Sequence, residues 1–199
     1  MVEEALVAGN STTIARRRVR NRVRLPAVAL AVASVGLFAG PAFAGTPAKA
    51  KTAKTKTVTF VGHYSGNATL LINNGSVSIP SVTGKGSGTL VGASAVSGSG
   101  SSSSSAQCDP FAGKGSIAGA GTRITFIVSK STSKGCSSGE SGPVTVSFNG
   151  TAKATSGTGK AKGAIGTLRF TGTLKLAGTT GSQNGTYSVT LTGKLKVKA

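Results

Sequence analysis

Residues 186–198 read TYSVTLTGKLKVK, and this stretch decides the fold class. Tyr187, Val189, Leu191, Leu195 and Val197 occupy every second position, with Gly193 between them. Ser188, Thr190, Thr192, Lys194, Lys196 and Lys198 occupy the alternate positions. Successive side chains of a strand point to opposite faces, so this period of two predicts a strand with one buried and one wetted face. Just upstream, Leu168, Phe170, Leu174 and Leu176 alternate in the same way with Thr167, Arg169, Thr171, Thr173 and Lys175.

Working outward, the pattern recurs at Ile124, Phe126 and Val128, and at Val144, Val146 and Phe148. Val58, Phe60 and Tyr64 open the domain, Leu70 and Ile72 follow, and Val77 and Ile79 make a short strand before Pro80. Strands of a parallel sheet would read as continuous apolar runs, which are absent. Asn74-Gly75, Asn149-Gly150 and Asn184-Gly185 have the residues of tight hairpin turns. Gly62, Gly172 and Gly193, inside strands, allow sharp coiling or close packing. The expected fold is all-β: a single antiparallel barrel of about eight strands, with a small β-sandwich as the alternative. A barrel leaves no open sheet edge and needs only one apolar face per strand.

A weak internal repeat fits a regular architecture. Residues 119–126 (GAGTRITF) resemble residues 163–170 (GAIGTLRF), each a small-residue turn feeding an alternating strand. The run Gly157-Thr158-Gly159, then Gly163-Ala164, Gly166 and the strand through Phe170-Thr171-Gly172-Thr173, resembles a segment of the allene oxide cyclase and dirigent superfamily. Gly/Thr-rich barrels of secreted bacterial proteins, actinobacterial ones among them, are similar. The resemblance spans residues 157–197 and implies a calycin-like, eight-stranded antiparallel barrel with an apolar cavity. The catalytic acidic residues of the plant members have no counterpart here, so it implies the barrel and none of the activity.

The N-terminus carries the parts of a secretory signal. Arg16, Arg17, Arg18, Arg20, Arg22 and Arg24 precede an apolar stretch from Leu25 to Phe38. Pro41-Ala42-Phe43-Ala44 then places small residues at the −3 and −1 positions before Gly45. The apolar stretch is short for a membrane span. Residues 1–44 are therefore expected to be a signal peptide cleaved between Ala44 and Gly45, which makes the protein secreted, extracellular or associated with the cell envelope. Residues 45–56 (GTPAKAKTAKTK) read as a flexible basic linker, 57–198 as the barrel domain, and 97–107 (SGSGSSSSSAQ) as a mobile Ser/Gly loop within it. Cys108 and Cys136 are the only cysteines, and in an exported chain they are expected to form a disulfide.

Removal of residues 1–44 takes six of the 23 basic residues and two of the four acids. The remaining 17 cations and two acids leave a net charge of +15. Alternation puts Arg169, Lys175, Lys194, Lys196 and Lys198 on outward faces, where pairing of the last two strands would join them in one basic patch. Such a patch attracts polyanions through a long-range, salt-sensitive field. The expected partners are anionic envelope polymers or anionic lipid head groups. No specific nucleic-acid partner is expected, because the aromatics that would stack bases fall on inward faces.

Catalytic chemistry has few candidates. After export the titratable groups suited to acid–base work are His63, Asp109 and Glu140, on three separate segments. His63 falls on a solvent face, Asp109 beside Cys108 and Pro110 reads as a turn former, and Glu140 lies in a Ser/Gly loop. Paired carboxylates, a nucleophile elbow, a phosphate-binding loop and a zinc-ligand motif are all missing, so neither enzymatic activity, metal nor cofactor is expected. The expected function is a non-catalytic, envelope-associated binding or structural protein with a basic surface. The alternative is a carrier of a small apolar ligand in the barrel cavity.

Overall fold

The computed structural model describes residues 54–139 and 141–199. The expected signal peptide with its cleavage point at Ala44 and Gly45, residues 45–53 of the expected linker, and Glu140 lie outside the described residues. Nine strands follow in chain order: β1 (Thr55–Asn73), β2 (Gly75–Gly88), β3 (Gly92–Ser104), β4 (Cys108–Gly119), β5 (Thr122–Val128), β6 (Lys134–Ser137), β7 (Val144–Thr158), β8 (Ile165–Leu176) and β9 (Gly181–Lys198). Every pairing is antiparallel.

The sheet closes. Apart from β5 and β6, consecutive strands pair with one another, and β1 pairs with β9 from Thr55↔Lys198 to Ile72↔Gly181. The result is an eight-stave up-and-down barrel, so the sandwich alternative does not apply. One stave is made of two pieces. β5 pairs with the C-terminal half of β4 and β6 with its N-terminal end, and β7 flanks both on the other side. Between the pieces, residues 129–133 bulge outward around a 3-10 turn at Lys130–Thr132.

Glycines and large side chains share the interior in register. Tyr64 pairs with Gly86, Phe126 with Gly115, Phe148 with Gly172, Leu168 with Gly193, and Tyr187 with Gly66. A Cβ at Gly115 would come within 2.9 Å of the Phe126 ring, and one at Gly172 within 2.5 Å of the Phe148 ring. Tyr64, Phe126, Phe148 and Leu168 thus lie over the bare backbone of their partners, and Tyr187 reaches Gly84 one strand further on, which fits bulky residues inside a narrow barrel. A fully buried residue such as Phe60 contributes about 1.5–3 kcal/mol relative to exposure.

The two ends of the barrel differ. At one end, Val91 from the β2–β3 turn and Ala161 and Ala164 from the β7–β8 turn are buried with Phe60, Ile117, Ile124, Leu168, Leu195 and Val197. This end is plugged. Towards the other end, the cluster of Ala68, Leu70, Val144, Leu176 and Tyr187 is ringed by only partly buried residues such as Ile72, Val77, Ile79 and Val146. Both halves of the sequence repeat are turns at the plugged end.

Several expectations need correction. The Ser/Gly stretch is not a loop over 97–107, because residues 97–104 belong to β3 and only Ser105, Ala106 and Gln107 connect it to β4. Gly98 and Gly100 pair with Gly115 and Gly113, so backbone hydrogen bonds hold this part of the strand although its inward positions beyond Val96 have no apolar side chain. The strand before Pro80 does not stop there. It bulges between Ile79 and Val82 and runs on to Gly88, with the bulge absorbing a proline that has no N–H for the ladder. Asn149-Gly150 and Asn184-Gly185 lie within β7 and β9 rather than in turns. Their glycines make room for Ser133 and for the Leu174 and Leu176 side chains. Only Asn74-Gly75 turns the chain, with Gly75 at φ +79°.

Candidate functional site

Because one end is plugged and the other is not, the barrel encloses a cavity of about 880 Å³ reached from the unplugged end. The inward positions of all the strands line it. Leu70, Ile72, Val77, Val82, Val144, Leu174 and Val189 make apolar walls. Phe111, Phe148 and Phe170 line it as well and pack against one another, with centroids 5.9–6.4 Å apart. Gly98, Gly100 and Gly113 leave a strip of bare backbone on the β3–β4 side. β8 lies four staves from β3, so this strip faces Phe170 and Leu174 across the barrel.

The mouth is polar. Asn73, Asn74, residues 102–107 and Thr180 border it. Asp109 faces inward from β4 and is 8 % exposed, which corrects its reading as a simple turn former. Its Oδ1 accepts from the Ser103 hydroxyl at 2.9 Å and the Ser105 hydroxyl at 3.0 Å, and its Oδ2 from the Ala106 N–H at 3.0 Å. Desolvation pushes the Asp109 carboxyl up, but the hydrogen bonds from Ala106, Ser103 and Ser105 outweigh it and hold the group below its ordinary value. Asp109 is therefore an ionised carboxylate that clasps the β3–β4 connection at the mouth.

Two tyrosines face the interior. The Tyr64 hydroxyl meets Ser94 Oγ at 3.0 Å. The Tyr187 hydroxyl packs against Gly84 and has no hydrogen-bond partner among the described residues. Burial pushes its phenol up to about 12.

Cys108 and Cys136 are bridged, as expected. They are direct partners across β4 and β6, with Cα atoms 4.0 Å apart. The bridge fastens the short β6 piece to the barrel near the mouth, and it suits an oxidising environment such as the outside of the cell.

The expected basic patch is partly assembled. β8 and β9 do pair, and Lys194, Lys196 and Lys198 stand at successive outward positions near the plugged end. Arg169 lies opposite Thr192, one outward step from Lys194. Lys175 lies opposite Thr186, eight residues along β9 and about 27 Å from Lys194 at strand rise. Sequence reading missed Lys153, Lys160 and Lys162. Lys153 is exposed opposite Thr167, and Lys160 and Lys162 lie in the β7–β8 turn, where the Lys198 N–H donates to the Lys162 carbonyl at 2.9 Å. No hydrophobic periodicity marks that turn, so only the fold could bring it alongside β9. The cationic face and the cavity mouth thus lie at opposite ends.

His63 is exposed, with its Nδ1 3.0 Å from Thr190 Oγ1. Among the described residues no three His, Cys, Asp or Glu side chains gather. Asp109 as a cavity residue was within reach of the sequence, since it shares parity with Phe111 on the same strand. No protein-family model, no curated protein and no solved structure matches this chain.

Proposed function

We propose that this is an exported, non-catalytic binding protein that carries a small apolar molecule in its barrel. The cavity is the observation that carries the reading. Its 880 Å³ lies within the range of small-molecule sites, its walls are apolar, and a single end opens. The resemblance of residues 157–197 to the allene oxide cyclase and dirigent superfamily implies a barrel with an apolar cavity, though none of the activity. Export is supported by the signal-like N-terminus and by the disulfide. The absence of catalysis is supported by Asp109, the only acid among the described residues, being engaged by three donors. Native mass spectrometry of protein purified from its own source tests the carrier reading. A reproducible small-molecule adduct is expected, and a clean protein that also takes up no added apolar probe overturns it.

A second reading is compatible with the first, and the file of Lys194, Lys196 and Lys198 favours it. This face holds the protein to anionic envelope polymers or anionic lipid head groups, leaving the mouth at the far end free. Salt is expected to release the protein from washed envelopes, as is charge reversal at these three lysines. Retention unchanged across the salt range removes this reading.

A further inference from the structure

The β3–β4 side of the rim carries a cluster of acceptors. Ser102 Oγ donates to the Pro110 carbonyl at 3.2 Å, Ser104 Oγ to the Asn73 carbonyl at 3.4 Å, and Ser103 and Ser105 to Asp109. Each of these four neighbouring hydroxyls directs its only proton into the protein, so what it can offer a guest is lone pairs. Gln107 directs one of its two amide N–H groups at the Ser137 carbonyl, at 3.4 Å. Asp109 itself is acceptor-only when ionised. It already receives the Ser103 and Ser105 hydroxyls and the Ala106 N–H, with a further hydrogen bond from the Ser105 backbone.

We propose that the cavity selects amphiphiles whose head group donates hydrogen bonds, an alcohol or an ammonium, over amphiphiles with an anionic head. The apolar body lies against the walls and reaches towards Phe111, Phe148 and Phe170, while the head lies beside the negative charge of Asp109 at the mouth. An ionised carboxylic acid or phosphate fits poorly there. It brings further acceptors to this cluster and a second negative charge to a buried carboxylate. The selection is opposite in sign to the outer surface, whose lysines attract anions from a distance. This proposal rests on the carrier reading and adds the class of ligand.

The test compares three probes with one tail: dodecan-1-ol, dodecylamine and dodecanoate. Each displaces a neutral fluorescent dye from the intact disulfide-bonded protein at neutral pH. High salt screens the outer lysines. The alcohol and the amine are expected to bind roughly tenfold or more tightly than the acid, the worth of one hydrogen bond to a charged group. Asp109→Asn is expected to erase most of the amine's advantage. Dodecanoate binding as tightly as the other two overturns the head-group selection and leaves the carrier reading standing. No binding by any of the three, and none of the dye, overturns both. If Asp109→Asn does not fold, the order of the probes on the unaltered protein decides alone.

Discussion

The ring of Phe148 lies over Gly172, its direct partner across β7 and β8, so closely that a Cβ at 172 would stand 2.5 Å from a ring atom. The same Cβ would also press on the Ser188 carbonyl of β9. Backbone on one side and an aromatic ring on the other leave no cheap adjustment. Gly172→Ala is therefore expected to destabilise the fold by about 1–3 kcal/mol through overpacking, although alanine is the smallest possible change. Urea unfolding checks this, and an unchanged midpoint would show that the Phe148 ring moves aside freely.

The disulfide closes a sequence separation of 28 residues. Replacing both Cys108 and Cys136 by serine is expected to cost about 3 kcal/mol, mostly by freeing the unfolded chain. The loss should have a local part as well, because β6 is only four residues long and flanked by turns. Hydrogen exchange at 134–137 should rise on reduction more than exchange in β1 or β9. Equal protection before and after reduction counts against the bridge as the fastener of that stave.

Asp109 gives stability an acid limb. Its pKa is lower in the folded protein than in the unfolded chain. The favourable contribution is complete above the ordinary carboxylate range and disappears as pH falls through the lowered folded value. Asp109→Asn should therefore be less stable than the parent at neutral pH, and the gap should narrow in acid. Unfolding midpoints measured from neutral pH downward test it. A gap that stays constant would place the effect in packing rather than in charge.

Tyr187 gives an alkaline limb of opposite sense. Its phenol is raised to about 12 from an ordinary value near 10, through burial alone. Stability from keeping it protonated is complete below pH 10 or so and is lost as pH rises towards about 12. Tyr187→Phe should flatten this loss. At neutral pH the substitution should be neutral or stabilising by up to about 1 kcal/mol, since it removes a buried hydroxyl without a partner. Tyrosinate absorbance in the native protein provides the titration, and an ordinary midpoint for both tyrosines would contradict the burial described.

Local pattern alone determined the class of fold. The alternation at Tyr187–Val197 and Leu168–Leu176 dictated half-buried strands, because a period of two has no other structural use. Cys108 and Cys136 could be paired because there were only two. The sequence was mute where a strand faces inward with glycine. Gly98, Gly100, Gly113 and Gly115 have no side chain to reveal their parity, so β3 read as a loop, and glycines within β7 and β9 read as turns. What those glycines accommodate, a ring or a side chain from the next strand, is set by register, and register follows from closure of the whole barrel. The cavity is likewise a property of closure. Val91, Ala161 and Ala164 fill one end and none of the described residues fills the other, a difference in packed volume that no local stretch records. Closure also turned Asp109 inward and gathered the lysines of a turn and a distant strand at the opposite end. Sequence fixes which faces must be dry, whereas only the tertiary structure decides how much space remains between them and which charges stand at its door.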